Sequence, residues 1–585
     1  MNDVLPLRHS SPDAHSLTWR AYLLLLLLGL VLFLPGIAAL PPLDRDEPRY
    51  TQASKQMLET GNYADIRFMR ETRYKKPVGI YWLQSASARL FGEPPYDVIW
   101  PYRQPSVLAG ILTLCLIAWG FSRLSGARTG LLAAFIFASC FQLVFESHFA
   151  KTDAALLVCS TGAQLILAQA YIGRISARWA YLFWFLQAIG ILIKGPIAPL
   201  VSGLTFLALW LADGRRAAWA RQMRLLPGLV LCAAIVLPWL IWIALASQGK
   251  FLAESAGHDL LGKIFQGQDR GFLPPGYHTL LLAVWFLPQA TLVMAGLRHG
   301  WNNCTAGRQR FALAWIIPFW LLYELIATKL PHYVLPVYPA LAWLAASAAA
   351  QHDLPAPSQW WRLGVIAQAT ALIIAALGLM LAPWWLADLS VVAALLGAVA
   401  FVMIWHQART FWSEPQHAAR YGLGAAVCLY IGCFGLVLPA THAYWLSPNL
   451  TAFYLAHRPC PLTSRLVTEG YNEPSLTFLS GTNTYFANNP ARAAHWLAVD
   501  ACTVVSVRSG AKEQAFLTAL AVNGGRFEWI GSVSGFHYNG GGWQTHNFYR
   551  RPLSPPPLDL TMLTDFWTRR PEPLQLGIAS APAAP

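Results

Sequence analysis

Long apolar runs recur along most of this 585-residue chain, and they constrain its fold more than any other feature. About thirteen runs have roughly the 17 to 25 residues that a helix needs to cross the core of a bilayer. They lie near residues 21–40, 104–121, 129–145, 154–172, 179–193, 196–211, 226–246, 278–297, 311–327, 333–349, 363–382, 386–404 and 421–439. The runs predict an all-α polytopic membrane protein. The pair around Gly195–Pro196 is open to two interpretations, as two helices or as one broken helix.

The composition agrees with a membrane location. Hydrophobic residues make up 56% of the chain and charged residues 12%, against about 25% charged in ordinary soluble domains. The net charge of +14 lies mostly in the first loop and in loops that we assign to the cytoplasm. This distribution does not imply a nucleic-acid partner.

Short loops rich in Lys and Arg indicate the cytoplasmic side. One side carries Arg8, Arg20, Arg123, Arg128, Arg174, Arg178, Arg215, Arg216, Arg221, Arg224, Arg298, Arg308, Arg310, Arg362, Arg409 and Arg420. The shortest opposite connections hold only Lys151, Lys194 and Lys329, although the loop 247–277 is a basic exception. An odd number of spans then places the first loop, 41–103, and everything after about residue 440 outside. The first run is longer than a signal-peptide core and lacks a good cleavage site, so we interpret it as a retained helix.

The sequence divides into a transmembrane part, 1–446, a small external α/β domain, 447–551, and a Pro-rich tail, 552–585, that we expect to be disordered. Segments 465–469 and 502–507 are predicted strands, and 491–499 and 511–522 are predicted helices. Cys460 and Cys502 are the cysteines of this external region. An external location permits a disulfide between them, and two free thiols remain the alternative.

The first external loop is unusually charged for a segment between membrane spans. It holds an acidic group, Asp44, Asp46 and Glu47, followed by Arg49, and some thirty residues later the pair Lys75 and Lys76 before Pro77. Carboxylates and cations at a membrane surface suit chemistry on an anionic, lipid-linked substrate. A solvated loop that binds lipid headgroups is the alternative explanation.

Further polar groups lie near span ends on the same predicted side. They are Asp153, His258, Asp259, Lys263, Arg270, Lys329, His332 and Tyr333. Taken singly, each has a simple explanation; Asp153, for example, could cap the helix that begins at Ala154. Their position on one side together with Asp46 favours a functional site, because ionisable groups at membrane depth are costly.

Several of these segments resemble a known family. DRDEPRY, YKKPVGIYW, KTDA, KLPHYVLPVYP and EGYNEPSLTFL are similar to motifs of the bacterial aminoarabinose (4-amino-4-deoxy-L-arabinose) lipid A transferases. That family is related to the protein O-mannosyltransferases, within the polytopic superfamily C glycosyltransferases. The resemblance runs from about residue 20 to 550. It implies transfer of a sugar from undecaprenyl phosphate to an acceptor on the outer face of the bacterial inner membrane, with lipid A as the first expectation.

The resemblance also implies roles for individual residues. Asp46, with Glu47 beside it, corresponds to the catalytic acid of the first loop, and Asp153 to a second acid near the same cavity. The groups that correspond to holders of the carrier phosphate are Arg49, Lys76 and Tyr333, with His258 and Lys263 at positions of further cavity residues. Relatives often have Glu before the Lys-Pro pair, where this chain has Lys75. A divalent metal at that place is therefore in doubt, and no other cofactor is expected.

Three alternatives remain open from the sequence. Within the glycosyltransferases, a hexose or mannose donor and a protein or other lipid acceptor fit the same motifs. From another class, a lipid transporter or flippase would explain the spans, yet it predicts inverted repeats, of which the sequence gives no clear sign. A scaffold that displays the external domain explains neither the acidic group nor the paired lysines. We expect a monomer in contact with membrane lipids.

Overall fold

In the computed structural model, residues 17–43, 45–214, 217–255, 273–386, 391–523 and 526–552 are described. They form two compact units that interleave along the chain. The first contains Met1–Leu455, Asn472–Thr484 and Val533–Thr545, and the second contains Ala456–Tyr471, Tyr485–Ser532 and His546–Pro585. The predicted boundary at residue 447 falls inside a helix, Leu446–His457. Of the Pro-rich tail, 552–585, all but Pro552 lies outside the described residues.

The first unit is helical, and each apolar run of the sequence contains helix. The helices are α1 Trp19–Phe33, α2 Asp46–Thr60, α3 Gly79–Phe91, α4 Trp100–Ser125, α5 Ala127–Ala138, α6 Phe141–His148, α7 Asp153–Ile172, α8 Ala177–Lys194, α9 Ile197–Asp213, α10 Leu225–Ala246, α11 Lys250–Leu252, α12 Tyr277–Trp285, α13 Ala290–Asn302, α14 Gly307–Leu325, α15 Tyr338–Gln351, α16 Gln359–Trp385, α17 Val391–Thr410, α18 Pro415–Tyr430, α19 Leu438–Ala440, α20 Leu446–His457 and α21 Pro474–Ser480. Two short strands, β1 Arg67–Phe68 and β2 Glu71–Thr72, pair in the first loop.

By length and apolar composition, seven helices of the described residues are suited to cross a membrane. The number is eight if α5 and α6, which meet at a bend of 63°, form one span. The pair around Gly195 is resolved as two helices, because α8 ends at Lys194 and α9 begins at Ile197. Gly195 adopts a φ of 69° there, a conformation that Gly reaches without strain. The chain is therefore a multi-pass membrane protein.

Small residues allow the helices of the first unit to approach one another closely. A Cβ on Gly296 of α13 would lie 2.4 Å from the backbone nitrogen of Ala345 in the Ala-rich helix α15. Interfaces of this kind are typical of helices packed in lipid, where burial of apolar surface contributes little net free energy to helix association. The same principle positions the first loop, since a Cβ on Gly79 of α3 would lie 2.8 Å from the carbonyl oxygen of Leu192 in α8.

A segment from the far end of the chain also holds the first loop. Helix α21 packs against α2, and the buried Lys55 of α2 donates to the carbonyl oxygen of Phe478 at 3.2 Å. Gln52 donates to the hydroxyl of Thr482 at 2.8 Å. The acidic loop is thus supported by residues more than four hundred positions away in sequence.

The second unit is built around a sheet flanked by helices. The strands of this sheet are β3 Arg465–Glu469, β4 Tyr485–Phe486, β5 Thr503–Arg508, β6 Glu528–His537 and β7 Gly542–Arg550, in the order β4-β3-β5-β7-β6, and the helices are α22 Pro490–Val499 and α23 Ala511–Asn523. The end of the β6–β7 hairpin, residues 533–545, belongs to the first unit. Strand β3 is parallel to β4 and β5, and β7 is antiparallel to β5. The predicted segments 465–469, 491–499, 502–507 and 511–522 coincide with β3, α22, β5 and α23 to within one residue. Cys460 and Cys502 form a disulfide, which decides between the two alternatives left by the sequence.

Candidate active site

The acidic part of the first loop begins helix α2. Asp46 and Glu47 occupy its first turn, where unpaired backbone N–H groups favour negative charge. The helix ends at Thr60 and is followed by Gly61, whose φ of 69° permits the left-handed turn that closes the helix. Asp46, Glu47, Arg49 and Tyr50 are therefore presented together at one helix end.

Glu47 is fully buried and forms an ion pair with Arg103, which we call the anchor pair. The Nε and Nη2 atoms of Arg103 each donate to a carboxylate oxygen at 2.8 Å, and the backbone N–H groups of Leu43 and Ala150 donate at 2.8 and 2.9 Å. Arg103 donates further to the carbonyl oxygens of residues 37, 40 and 41. The anchor pair thus joins the first loop to the start of α4 and to residue 150.

Asp46 has different surroundings from its neighbour. It is half-buried, and among the described residues its carboxylate makes no hydrogen bond with the protein. Burial raises the pKa of Asp46, but the positive charges of Arg73, Lys151 and Arg49, together with His332, outweigh burial and leave the pKa below its usual value. Asp46 is therefore an ionised carboxylate, held near cations and available to a ligand.

Arg73 is the strongest of these electrostatic partners. It is buried, and its guanidinium lies over the ring of Tyr50 at 5.2 Å. Burial lowers the pKa of Arg73, but Tyr81, Tyr50 and Asp46 raise it more, so that its guanidinium stays charged. The first loop therefore contributes a fixed cation beside Asp46.

A second set of charges lies at the ends of helices α6, α7 and α8. Asp153 is buried and accepts a short hydrogen bond from Lys194, the last residue of α8. It therefore acts as an ion-pair partner and makes no side-chain cap at the start of α7. Glu146, also buried, lies 3.1 Å from the ammonium of Lys151. Each carboxylate is thus matched with one lysine.

His332 lies between these two ion pairs. Its Nδ1 is 4.0 Å from Glu146 and its Nε2 is 3.9 Å from Asp153. Tyr333, the next residue, contacts the His332 ring edge-on at 5.2 Å and lies 5.9 Å from the Lys194 ammonium. Lys329 of the same segment is turned elsewhere, with its ammonium on the carbonyl oxygens of Leu273 and Ile326.

The polar cluster is the name we give to these charged groups together. It comprises Asp46, Arg49, Arg73, Glu146, Lys151, Asp153, Lys194 and His332. Four cations face three carboxylates, with the histidine between them. Such a site attracts an anion, and a phosphate can replace a carboxylate as the partner of a lysine or arginine.

The structure places four of the eight predicted site residues in or beside the polar cluster. Asp46, Arg49 and Asp153 belong to the polar cluster, and Tyr333 touches it. Lys76 is half-buried beside Pro77, whereas Lys75 is exposed. His258 and Lys263, with Asp259 and Arg270, lie outside the described residues, so their roles stay predictions. For Glu47 the catalytic role also stays a prediction, and its bonding favours a structural one.

Sequence reasoning missed the roles of Arg73, Glu146, Lys151 and Lys194. Lys151 and Lys194 did carry a signal, since they are lysines at the ends of apolar runs on a side otherwise poor in positive charge. Glu146, a lone acid at the end of the apolar run 129–145, carried the same kind of signal. Arg73 had none, because one arginine in a charged loop looks like any other.

The polar cluster is poorly suited to a metal ion in its present arrangement. Among the described residues, no group of three or more His, Cys, Asp and Glu side chains is placed to hold a metal. Asp153 and Glu146 are directed at lysines, and Glu47 is saturated by Arg103. We therefore derive no step that uses a metal.

Comparison with known proteins gives concordant results. The family model described as dolichyl-phosphate-mannose-protein mannosyltransferase matches residues 75–242. An undecaprenyl phosphate-alpha-4-amino-4-deoxy-L-arabinose arabinosyl transferase of Edwardsiella ictaluri is 27% identical over 425 residues, 70% of this chain and 74% of the relative. A protein of the same name from Pseudomonas aeruginosa is 30% identical over 338 residues, 55% of this chain and 59% of the relative.

The fold has a close counterpart among solved structures. The crystal structure of ArnT from Cupriavidus metallidurans bound to undecaprenyl phosphate superposes with a TM-score of 0.70 at 19% identity, covering 91% of this chain and 98% of that one. At this identity the likeness shows a shared fold. The chain is a glycosyltransferase whose sequence is similar to the aminoarabinose transferases and, over residues 75–242, to the mannosyltransferases of the matching family model.

Proposed function

We propose that this enzyme transfers 4-amino-4-deoxy-L-arabinose from undecaprenyl phosphate to a phosphate group of lipid A. The names of its relatives specify this donor carrier and this sugar. We further propose that the enzyme is a monomer of the bacterial inner membrane with thirteen spans. In this arrangement the polar cluster and the second unit face the periplasm.

One observation carries the proposal more than any other. Asp46 is an ionised carboxylate without a protein hydrogen bond among the described residues, surrounded by the cations of the polar cluster. A carboxylate kept charged and unbonded next to cations is suited to a reaction in which positive charge develops on a sugar and negative charge on a phosphate. A lipid-binding loop would need the cations but not the carboxylate.

The donor step breaks the bond between the sugar C1 atom and the carrier phosphate oxygen. The bonding electrons go to that oxygen, and the leaving polyprenyl phosphate needs stabilisation by positive charge. Arg49 and Lys76 supply it by charge-assisted hydrogen bonds in this proposal, with Tyr333 as a further donor. Two lysines add to the same positive field: Lys194, whose ammonium lies 5.9 Å from the centre of the Tyr333 ring, and Lys151, which is paired with Glu146 beside His332.

The acceptor step forms a bond between the sugar C1 atom and an acceptor oxygen. A lipid A phosphate is already ionised near neutral pH and needs little help from a base to attack. Asp46 then orients the acceptor through shared cations and stabilises the positive charge on the sugar ring. With a hydroxyl acceptor, Asp46 would instead take the proton, a step worth about 10²- to 10⁴-fold in rate.

A second candidate is transfer of a hexose such as mannose to a protein or another lipid. The description of the matching family model favours it. The distribution of charge argues against the flippase alternative. A transporter built from inverted repeats would carry matching charges in its two halves, whereas here the charges lie in one loop and at helix ends.

Mass spectrometry of lipid A tests the proposal. The chain or its Asp46→Asn variant is expressed in a host that lacks its own aminoarabinose transferase but makes the donor. The proposal predicts one added aminoarabinose mass with the wild-type chain and none with Asp46→Asn. A well-expressed wild-type chain that adds no mass would contradict it, and a hexose mass on another acceptor would support the second candidate.

A further inference from the structure

The end of the β6–β7 hairpin, residues 533–545, lies in the first unit beside the chain that leaves the last candidate span. That span ends at Ala440. Trp445, five residues later, forms a parallel bridge with Phe536 of β6. A Cβ on Gly535 would lie 3.0 Å from the Cα atom of Leu446, so the two segments are in close backbone contact. The hairpin end is therefore fixed beside the chain that directly follows the last candidate span.

The two faces of the hairpin differ in chemistry, as expected when successive side chains of a strand point to opposite faces. On one face, His537 lies 2.8 Å from a carboxylate oxygen of Glu473 and accepts from Gln544 at 3.0 Å. Asn539, in the turn, donates to the other oxygen of Glu473 at 2.9 Å. This face is closed by polar contacts with the protein.

The other face carries large aromatic side chains that the protein leaves exposed. Phe536 is 38% and Trp543 62% exposed, and their rings lie 6.0 Å apart. Tyr444, 44% exposed, adds its ring at 5.6 Å from Trp543. These three side chains form what we call the aromatic face, and it begins four residues after the end of the span.

We propose that the aromatic face lies in the headgroup region of the membrane that the chain spans. Tyr and Trp are concentrated at this depth because each combines an apolar ring with a polar group that can remain hydrated. We assign lipid as the contact of this face because the hairpin end is bound to residues 445 and 446, which closely follow the last span, and so cannot lie far from the bilayer. Lipid covers the rings, while the opposite face remains on Glu473.

This membrane contact has a consequence for the first loop. Glu473 lies 3.6 Å from the guanidinium of Arg45, the residue before Asp46. The hairpin therefore connects the lipid surface on one face with the start of α2 on the other. Contact of the aromatic face with lipid thus fixes how far the hairpin end lies from the membrane. Through the hairpin it also fixes the position of Glu473 relative to the lipid-borne substrates.

Photocrosslinking tests this proposal without reference to activity, so that its outcome is independent of the proposed function. p-Benzoylphenylalanine replaces Trp543 in the full chain, which is reconstituted in vesicles of phosphatidylethanolamine and phosphatidylglycerol. The matched control replaces Trp529, a residue of the same type on β6 that is 60% exposed. The proposal predicts phospholipid adducts several-fold more abundant at position 543 than at position 529.

A second position keeps the test decisive if the first variant fails to fold. The same probe at Tyr444 replaces one aromatic ring by another and is expected to give the same lipid adducts. Absence of lipid adducts at both positions, equal adducts at position 529, or adducts to a second protein chain in place of lipid would overturn the proposal.

Discussion

Asp46 and Glu47 are adjacent carboxylates in one helical turn, yet the protein surrounds them differently. Four hydrogen bonds from Arg103 and two backbone N–H groups saturate Glu47. Asp46 is surrounded by cations but, among the described residues, bonded to none. A saturated buried ion pair has no lone pair left for a substrate, whereas an ionised, unbonded carboxylate does. The comparison separates a residue whose bonds hold the loop from one that our proposal places in the chemistry.

The largest effect on the transfer rate is expected when one of the paired lysines of the first loop, Lys76, is replaced. Lys76→Ala should reduce transfer by about 10³-fold, because a leaving phosphate loses a charge-assisted donor. The matched control is Lys75→Ala, since Lys75 is exposed and Lys76 half-buried. Transfer is measured with purified enzyme and a polyprenyl-phosphate sugar. Near-normal turnover of a folded Lys76→Ala enzyme, or equal losses in both variants, would refute the assigned role.

Loss of the anchor pair should act on stability. Glu47→Gln leaves the buried charge of Arg103 without its counter-ion, which is expected to destabilise the fold by about 3–5 kcal/mol. Thermal unfolding of the purified enzyme in detergent measures this as a lowered midpoint. An unchanged midpoint together with lost transfer would show that Glu47 belongs to the chemistry, and the comparison with Asp46 would fail.

A smaller effect is expected where the loop packs against helix α8. Gly79→Ala places a Cβ against the backbone of Leu192, which cannot move aside as a side chain can. We expect about 1–3 kcal/mol of destabilisation and a partial loss of transfer. Gly203→Ala is the control, because no atom lies within 4 Å of a Cβ there. Equal behaviour of the two variants would indicate that the loop does not depend on this contact.

The smallest expected effect is a shift in pH dependence. Arg73 is the largest of the charges that lower the pKa of Asp46, and activity that needs ionised Asp46 is lost as pH falls through that pKa. Arg73→Gln raises the Asp46 pKa, so the acid limb of kcat/KM should move to higher pH. Lys75→Gln should leave the limb in place. A limb that does not move in Arg73→Gln would show that another group controls it.

Much of the fold could be predicted because each apolar run specifies a helix by itself. Strands β3 and β5 could be predicted too, because their β-branched residues are typical of strands buried in the centre of a sheet. Strands β6 and β7 escaped prediction, since Gly531, Gly535 and the glycines of the turn obscure their alternation. The interleaving of the two units also escaped, because it depends on contacts such as Lys55 with Phe478 across most of the chain.

Several residues of the candidate site could be predicted from the sequence, but the ion pairs that they form could not. Asp46 and Arg49 stood out in the charged first loop, and Asp153 as a charge near a span end. That Arg103 would neutralise Glu47, that Lys194 would pair with Asp153, and that Arg73 would face Asp46 are results of tertiary packing. No local pattern distinguishes Asp46 from Glu47, since both occupy the first turn of α2.

The most direct test compares Asp46→Asn with Glu47→Gln in the same two assays, transfer by the purified enzyme and thermal unfolding. Asp46→Asn should unfold much closer to the wild-type temperature than Glu47→Gln and should lose about 10²-fold or more in transfer rate. The size of the loss also bears on the acceptor, being larger for a hydroxyl than for a phosphate. A folded Asp46→Asn enzyme that transfers sugar at the wild-type rate would contradict the account.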